Sequence, residues 1–134
     1  MTRARLHSVV AVANEVLDVL HFGDHLRQGR SLAAQIYVAG NVGLVVAIVV
    51  AALAVRAHPI APAAAAAFGL LAAMGVTATH ILPAWGFFSD SYTSVHVDAL
   101  SWVSACSLVI CGLALAASGT TMVLRPARRR LPAT

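Results

Sequence analysis

The sequence predicts an all-α membrane protein, a bundle of four transmembrane helices that forms a single domain over residues 1–134. Hydrophobic residues make up 60% of the chain, charged residues make up 10%, and the mean hydropathy is +0.84. A soluble domain carries about 25% charged residues, so the composition points to lipid as the solvent. Long stretches also lack every Lys, Arg, Asp and Glu side chain. A multi-pass protein of the cell membrane, with the lipid bilayer as its partner, is therefore expected.

The first helix is expected at about residues 5–25, in an apolar segment that polar residues interrupt. These residues are Asn14, Glu15, Asp18 and His21. A secretory signal peptide is the competing interpretation, because Arg3 and Arg5 precede the apolar run. Carboxylates in the middle of the run, with no small-x-small cleavage site after it, favour a retained membrane helix.

Three further helices are expected at about residues 32–55, 62–83 and 95–124. Each stretch reaches the roughly 20 residues that cross a hydrocarbon layer of about 30 Å. Pro62 suits a helix start and Pro83 a helix end. Small residues on these helices are expected to permit close helix contact; the glycines among them are Gly40, Gly43, Gly69, Gly75, Gly112 and Gly119.

The arginines predict that both termini are cytoplasmic. With the N-terminus inside, only Arg27 and Arg30 lie on the outer side, and positive charge favours the cytoplasmic side. The arginines on the cytoplasmic side are then Arg3, Arg5, Arg56, Arg125, Arg128, Arg129 and Arg130. Residues 125–134 form a basic cytoplasmic tail in this arrangement. No basic face interleaved with aromatic residues is present, so the net charge of +4 does not indicate nucleic-acid binding.

One side of the first helix carries a polar stripe. At about 100° per residue, the side chains that share this side are His7, Asn14, Asp18, His21 and His25, with Glu15 at the edge. An ionisable group in hydrocarbon costs a few kcal/mol or more, roughly, and such groups usually have a function. The stripe is therefore expected to face protein rather than lipid.

The predicted orientation brings histidines and carboxylates from three helices to the outer side of the membrane. The candidate metal ligands are His21, His80, His96 and Asp98, and the candidate catalytic residues are Glu15 and Asp18. Imidazole and carboxylate together suit Zn, Fe, Mn or Cu. The Glu15-x2-Asp18-x2-His21 spacing is similar to the way helix bundles present Glu and His inward to a metal.

Residues 83–93, which connect the third and fourth helices, are rich in aromatic side chains. Trp and Tyr commonly mark the membrane interface, and this is one interpretation. The other is an aromatic wall for a lipophilic substrate. The candidate lining residues are Asn14, Trp85, Asp90, Tyr92 and Trp102.

These features leave three functional hypotheses open. The first is a metal-dependent or acid/base enzyme that acts on a lipid, a quinone or an isoprenoid. The second is a non-catalytic accessory subunit of a larger membrane complex, which binds a metal ion or holds haem b between two imidazoles. The third is a proton or metal-ion transporter, for which a homo-oligomer could supply a pore.

Overall fold

The computed structural model describes residues 1–124, which form helices and loops without a strand. The helices are α1 (Arg3–Gln28), α2 (Ala34–Val55), α3 (Ala61–Val76) and α4 (Ala99–Val123). A π-helical turn, Thr77–Ile81, continues α3. The all-helical prediction is confirmed over this range, and the predicted basic tail, residues 125–134, lies outside the described residues.

Three of the helical segments are long and apolar enough to cross a membrane, namely Ala34–Val55, Ala61–Ile81 and Ala99–Val123. Their outward faces are aliphatic, with Val45, Leu71 and Ile110 among the most exposed side chains. Exposed aliphatic side chains are costly in water and neutral in lipid, so this surface fits a bilayer. The protein is therefore a membrane protein by the length and composition of these helices.

Helix α1 turns its polar stripe inward. His7, Asn14 and His21 are buried, whereas Val9 and Val16 are each 52% exposed. The expectation that the stripe faces protein is confirmed. The helix begins at the Thr2 side chain, which accepts a hydrogen bond from the Arg5 amide, and ends at Gly29 in the left-handed conformation that glycine adopts without strain.

Helices α3 and α4 form the most extensive contact, because glycines let their backbones approach closely. A Cβ atom added at Gly69 would lie 2.5 Å from the Gly112 carbonyl oxygen. One added at Gly119 would meet the Pro62 carbonyl oxygen. The predicted role in close helix contact is confirmed for these three glycines. It is wrong for Gly40, Gly43 and Gly75, where an added Cβ would meet nothing within 4 Å.

The connection from α3 to α4 is longer than the sequence suggests. Helix α4 begins at Ala99 rather than near residue 95, because the Asp98 carboxylate accepts a hydrogen bond from the Ser101 amide and caps the helix there. The helical part of α3 and its π turn ends at Ile81, two residues before Pro83. The intervening residues fold back over the end of α3, next to the C-terminal turns of α1.

Candidate metal site

Three histidines meet at the end of the bundle where α1 ends and α2 begins. His21 and His25 lie one turn apart on α1, and His80 lies on the π turn. One ligand nitrogen from each ring can be chosen so that all three lie within 4.8 Å of one another. The ring centroids are 4.8 Å apart for His21 and His25, 5.1 Å for His21 and His80, and 4.9 Å for His25 and His80.

The Nδ1 atoms of two of these rings have hydrogen-bond partners. His80 Nδ1 lies 3.2 Å from the carbonyl oxygen of Asp90, which can only accept, so Nδ1 carries the proton. His21 Nδ1 lies 3.2 Å from Ser104 Oγ on α4. A ligating histidine in proteins usually donates its second N–H to such a partner, and that fixes both tautomer and ring orientation. The Nε2 atom of His80 is thereby left as the one with a lone pair for a metal ion.

The π turn aims His80 inward, and the following loop holds the turn in place. A π turn leaves carbonyl groups without their usual helical partners. Here three successive carbonyl oxygens accept hydrogen bonds from the loop: the oxygen of Ala78 from Trp85 Nε1 at 2.5 Å, that of Thr79 from the Asp90 amide at 2.9 Å, and that of His80 from the Tyr92 amide at 2.8 Å. Single-turn π insertions occur often at functional sites.

Charged residues close the bundle beside the histidines. Arg30 Nη2 donates to Asp90 Oδ1 at 2.7 Å. The other oxygen of this carboxylate, Oδ2, is buried, lies 3.8 Å from His80 Nδ1, and has no hydrogen-bond donor among residues 1–124. Arg27 bridges Asp24, at 2.7 Å, and Asp98, at 2.8 Å. Hydrogen bonds from the Arg27 guanidinium hold the pKa of Asp98 below its ordinary value.

Tyr92 supports His80 from the loop side. It is buried, and its ring centroid lies 4.8 Å from that of His80 and 5.6 Å from that of Trp102. Burial raises the pKa of the Tyr92 phenol, so the ring stays neutral. Tyr92 and Trp102 therefore pack behind the histidines.

A cavity of about 390 Å³ adjoins the three histidines. Its polar end is formed by Asp18, His21, His25, Thr79 and His80. The remaining wall is mostly apolar and comes mainly from α2 and α3; its aromatic members are Phe22, Tyr37, Phe68 and Phe88. A concave apolar site with a few convergent polar groups is typical of small-molecule binding.

The structure brings together only part of the predicted site. Asp18, His21 and His80 share the cavity, as expected. His96 is exposed, and neither His96 nor Asp98 belongs to the metal-capable group. Asp98 instead caps α4 and pairs with Arg27, so both of its carboxylate oxygens already have hydrogen-bond donors.

The remaining predicted residues lie around the cavity and do not line it. Glu15 is one turn deeper than Asp18 on α1, and Asn14 is buried. Trp85 is 55% exposed and donates a hydrogen bond to a carbonyl oxygen of the π turn, while the Asp90 carboxylate lies beside His80. Tyr92 and Trp102 lie behind His80, as described above.

His25 is the site residue that the sequence prediction left outside the ligand set. The signal was present in its spacing, because residues four apart on a helix lie on the same face. His21 and His25 therefore form a ready pair, but His25 also lies two residues before Arg27, where a histidine can equally mark the membrane interface.

The arrangement combines three convergent imidazoles, a nearby carboxylate and an apolar cavity. The three imidazoles could hold one metal ion, and Asp18 lies on the wall of the same cavity. Comparisons with protein-family models, with curated proteins and with solved structures find no match to this chain.

Proposed function

We propose that this protein is a four-span membrane enzyme that binds a divalent metal ion through His21, His25 and His80 and acts on a lipophilic molecule. The observation that carries the proposal is the convergence of three imidazoles on the polar end of an apolar cavity. Stability alone does not favour such a group, because buried polar side chains cost free energy unless they are partnered.

Helix α1 serves as the fourth span in this proposal. It has 26 residues, about 39 Å of rise, and its outward face is aliphatic. Its ionisable residues face the other helices rather than lipid, as intramembrane ionisable residues do. Arg3, Arg5 and Arg56 then lie on the cytoplasmic side, and the histidines lie toward the outer side.

The donor set suits zinc, iron or copper, since imidazole is a ligand that these metals share. Catalytic zinc sites use three protein ligands and keep a fourth position for water or substrate. With metal–nitrogen distances of about 2.0–2.1 Å, the ligand nitrogens of a tetrahedral site lie about 3.4 Å apart. The present separations, within 4.8 Å, therefore call for a modest inward rotation of the rings.

A bound metal ion would polarise a substrate oxygen or lower the pKa of a water molecule. The chain's own contribution is position and proton transfer. Asp18 lies on the wall of the same cavity, where it can accept or donate a proton at a bound molecule, and Glu15 lies one turn away from it. The apolar wall excludes bulk water from that exchange.

The metal content of purified protein tests the proposal. We expect the wild-type protein to bind one Zn²⁺, Fe²⁺ or Cu²⁺ per chain after reconstitution, and His25→Ala to lose most of it. His96→Ala is the matched control, because His96 is exposed and outside the group. Circular dichroism and size-exclusion profiles of each variant report whether it is folded.

Two results would overturn the proposal: a wild-type protein that takes up no metal, or equal metal contents in folded His25→Ala and His96→Ala. An absorption spectrum of the same samples tests haem b. A Soret band that both His80→Ala and His21→Ala abolish would establish the haem alternative. The mutual contact of the three rings favours a single ion, because a porphyrin must separate its two axial imidazoles.

A proton path is the second candidate function, and one observation favours it. Below the site, the buried atoms His7 Nε2 and Asn14 Oδ1 have no hydrogen-bond partner among residues 1–124. Such groups in proteins are normally satisfied by water. Proton flux into vesicles that contain the protein, lost in Asn14→Leu, would support this function, and equal flux with and without protein would exclude it.

A further inference from the structure

The glycines of α2, α3 and α4 fall into two groups. Gly69, Gly112 and Gly119 lie where backbones touch. Gly40, Gly43 and Gly75 have nothing within 4 Å of an added Cβ, and all three line the cavity beside the histidines. A glycine in a helix costs about 1 kcal/mol relative to alanine in water. Three glycines in one cavity wall therefore need a reason other than helix packing.

We propose that Gly40, Gly43 and Gly75 keep open a channel that binds a single hydrocarbon chain, acyl or prenyl, and that the polar head group of the same molecule reaches Asp18 and the three histidines. This inference rests on the proposed function, which it deepens by naming the substrate class. Because these residues have no side chains, the space between α2 and α3 is wide enough for a hydrocarbon chain.

The channel runs along the helices, away from the histidines. Its wall continues down α3 from His80 to Phe68, twelve residues or roughly 18 Å of helix rise. Val46 on α2 and Leu108 on α4 line it as well, and Leu108 is almost fully buried. The cavity is thus polar at one end and apolar along its length, which matches an amphiphile bound head first.

The volume of the cavity corresponds to one hydrocarbon chain. A water molecule occupies roughly 30 Å³ in the liquid, and a methylene group is of similar size. A cavity of 390 Å³ therefore holds about a dozen methylene groups. That is one acyl chain of ordinary length or a short prenyl chain. A diacyl lipid has more than twice as many methylene groups, so the cavity accommodates at most one of its two chains.

The channel opens sideways between α2 and α3. Tyr37, Val42 and Leu71 line it and are also 50%, 59% and 67% exposed. This opening lies on the outward aliphatic surface of helices that are long and apolar enough to cross a membrane. A chain can therefore move in from the bilayer without passing through water.

Retention of defined amphiphiles, measured by native mass spectrometry, tests the inference. The protein is purified in digitonin, whose rigid ring system is a poor mimic of an extended chain. Dodecanoic acid, farnesol and a diacyl phosphatidylcholine are offered separately. We expect the wild-type protein to retain one molecule of dodecanoic acid or of farnesol, and the preferred probe tells an acyl from a prenyl chain.

Gly43→Leu is the test variant, and we expect it to lose most of the bound probe, because a leucine side chain there occupies the channel. Gly23→Leu is the matched control: Gly23 is also helical and has nothing within 4 Å of an added Cβ, but it lies outside the cavity wall. It should retain the probe, and both variants should keep the wild-type metal content.

Three results would overturn the inference: no single-chain probe retained by the wild type, equal retention by Gly43→Leu and the wild type, or equal loss in Gly43→Leu and Gly23→Leu. Metal content is read separately in the same samples. Failure of the metal proposal, with no metal in any sample, is therefore distinguishable from failure of the channel, because the comparison of Gly43→Leu with Gly23→Leu does not depend on metal.

Discussion

Ser104 lies outside the three-histidine group but contacts His21 directly. Its hydroxyl oxygen, on α4, lies 3.2 Å from His21 Nδ1 and can accept a hydrogen bond from Nδ1–H, the tautomer in which Nε2 keeps its lone pair. Removal of the outer partner of a ligating histidine typically lowers metal affinity about 10–100-fold. We therefore expect Ser104→Ala to weaken metal binding by about that factor, measured by competition with a chelator of known affinity.

Ser94→Ala is the control for this substitution, because Ser94 is an exposed serine in the loop. Equal metal affinity in Ser104→Ala and the wild type would show that Ser104 does not orient a ligand. A lower melting temperature with unchanged metal affinity would assign Ser104 a purely structural role.

The Asp98 carboxylate makes stability depend on pH. Its pKa is lower in the folded protein than in the unfolded chain because Arg27 hydrogen-bonds to it. A group with a lowered pKa stabilises the fold above its ordinary pKa, about 3.9, and loses that contribution as the pH falls through the lowered value. We expect the melting temperature of Asp98→Asn to fall less than that of the wild type between pH 5 and pH 3, roughly.

Asparagine is also a good N-cap residue, so Asp98→Asn keeps the cap of α4 and removes only the charge. Asp98→Ala removes both, and its melting temperature at neutral pH should be below that of Asp98→Asn. Identical pH dependence in the wild type and Asp98→Asn would contradict the assigned role.

The candidate site could be predicted from single residues only where a helix fixes their positions. The stripe on α1 follows from a constant 100° step, and Asp18 and His21 are found facing the cavity as that step requires. His96 and Asp98 follow a loop whose path depends on hydrogen bonds to the π turn, which no periodic pattern encodes. That is why His25 appears in the group instead of His96.

Among the helices, the contact between α3 and α4 is the least tolerant of added volume. An alanine Cβ at Gly69 would lie 2.5 Å from one backbone atom of α4 and 2.7 Å from another. Overpacking of a tight interface typically costs about 1–3 kcal/mol. We expect Gly69→Ala and Gly119→Ala to destabilise the protein by about this amount, measured by thermal or denaturant unfolding.

Gly75→Ala provides the contrast, since an added Cβ there meets nothing within 4 Å. Its melting temperature should equal or exceed that of the wild type, because alanine favours the helix. Similar losses of stability at Gly69 and Gly75 would argue against the assignment of these glycines to two groups.

Helix bounds were predictable to within a few residues for α1, α2 and α3, and uncharged runs and proline delimit the last two. The start of α4 was not, because β-branched and polar residues before Asp98 read equally well as the first turn of a helix. The π turn could not be anticipated either. The turn depends on hydrogen-bond donors in the following loop. The Tyr92 amide, for example, donates to the carbonyl oxygen of His80, which is twelve residues earlier in the sequence.

For the protein as a whole, the proposed topology predicts a specific labelling pattern. In a background with Cys106 and Cys111 replaced by alanine, single cysteines are placed at Thr2, Ser31 and His58, all of which are exposed. We expect a membrane-impermeant maleimide to label the Ser31→Cys variant on intact cells, and the other two only after permeabilisation.

If α1 lay along the surface instead of crossing the membrane, Thr2→Cys and Ser31→Cys would label from the same side. That result would remove the fourth span and leave the three helices that are apolar enough to cross on their own. Labelling of Ser31→Cys only after permeabilisation would reverse the proposed orientation.

The class of fold could be predicted from the composition of the chain and the length of its uncharged segments, which do not depend on how the helices pack. Which face of each helix packs on which neighbour did not follow, since apolar residues lie on all sides of α2, α3 and α4 and their sequences carry no stripe. Their packing depends on which small residues of one helix face small residues of another, and the sequence shows only the position of each along its own helix.

The hydrogen bonds between the loop and the π turn bear on how water reaches the site. Asp90 and Tyr92 donate their backbone N–H groups to carbonyl oxygens of the turn that carries His80. Opening the loop would break these bonds together with the contact between His80 and Asp90. The two amides should therefore exchange hydrogen for deuterium as slowly as those inside α3, and solvent reaches His80 from the loop side only when the turn itself unfolds.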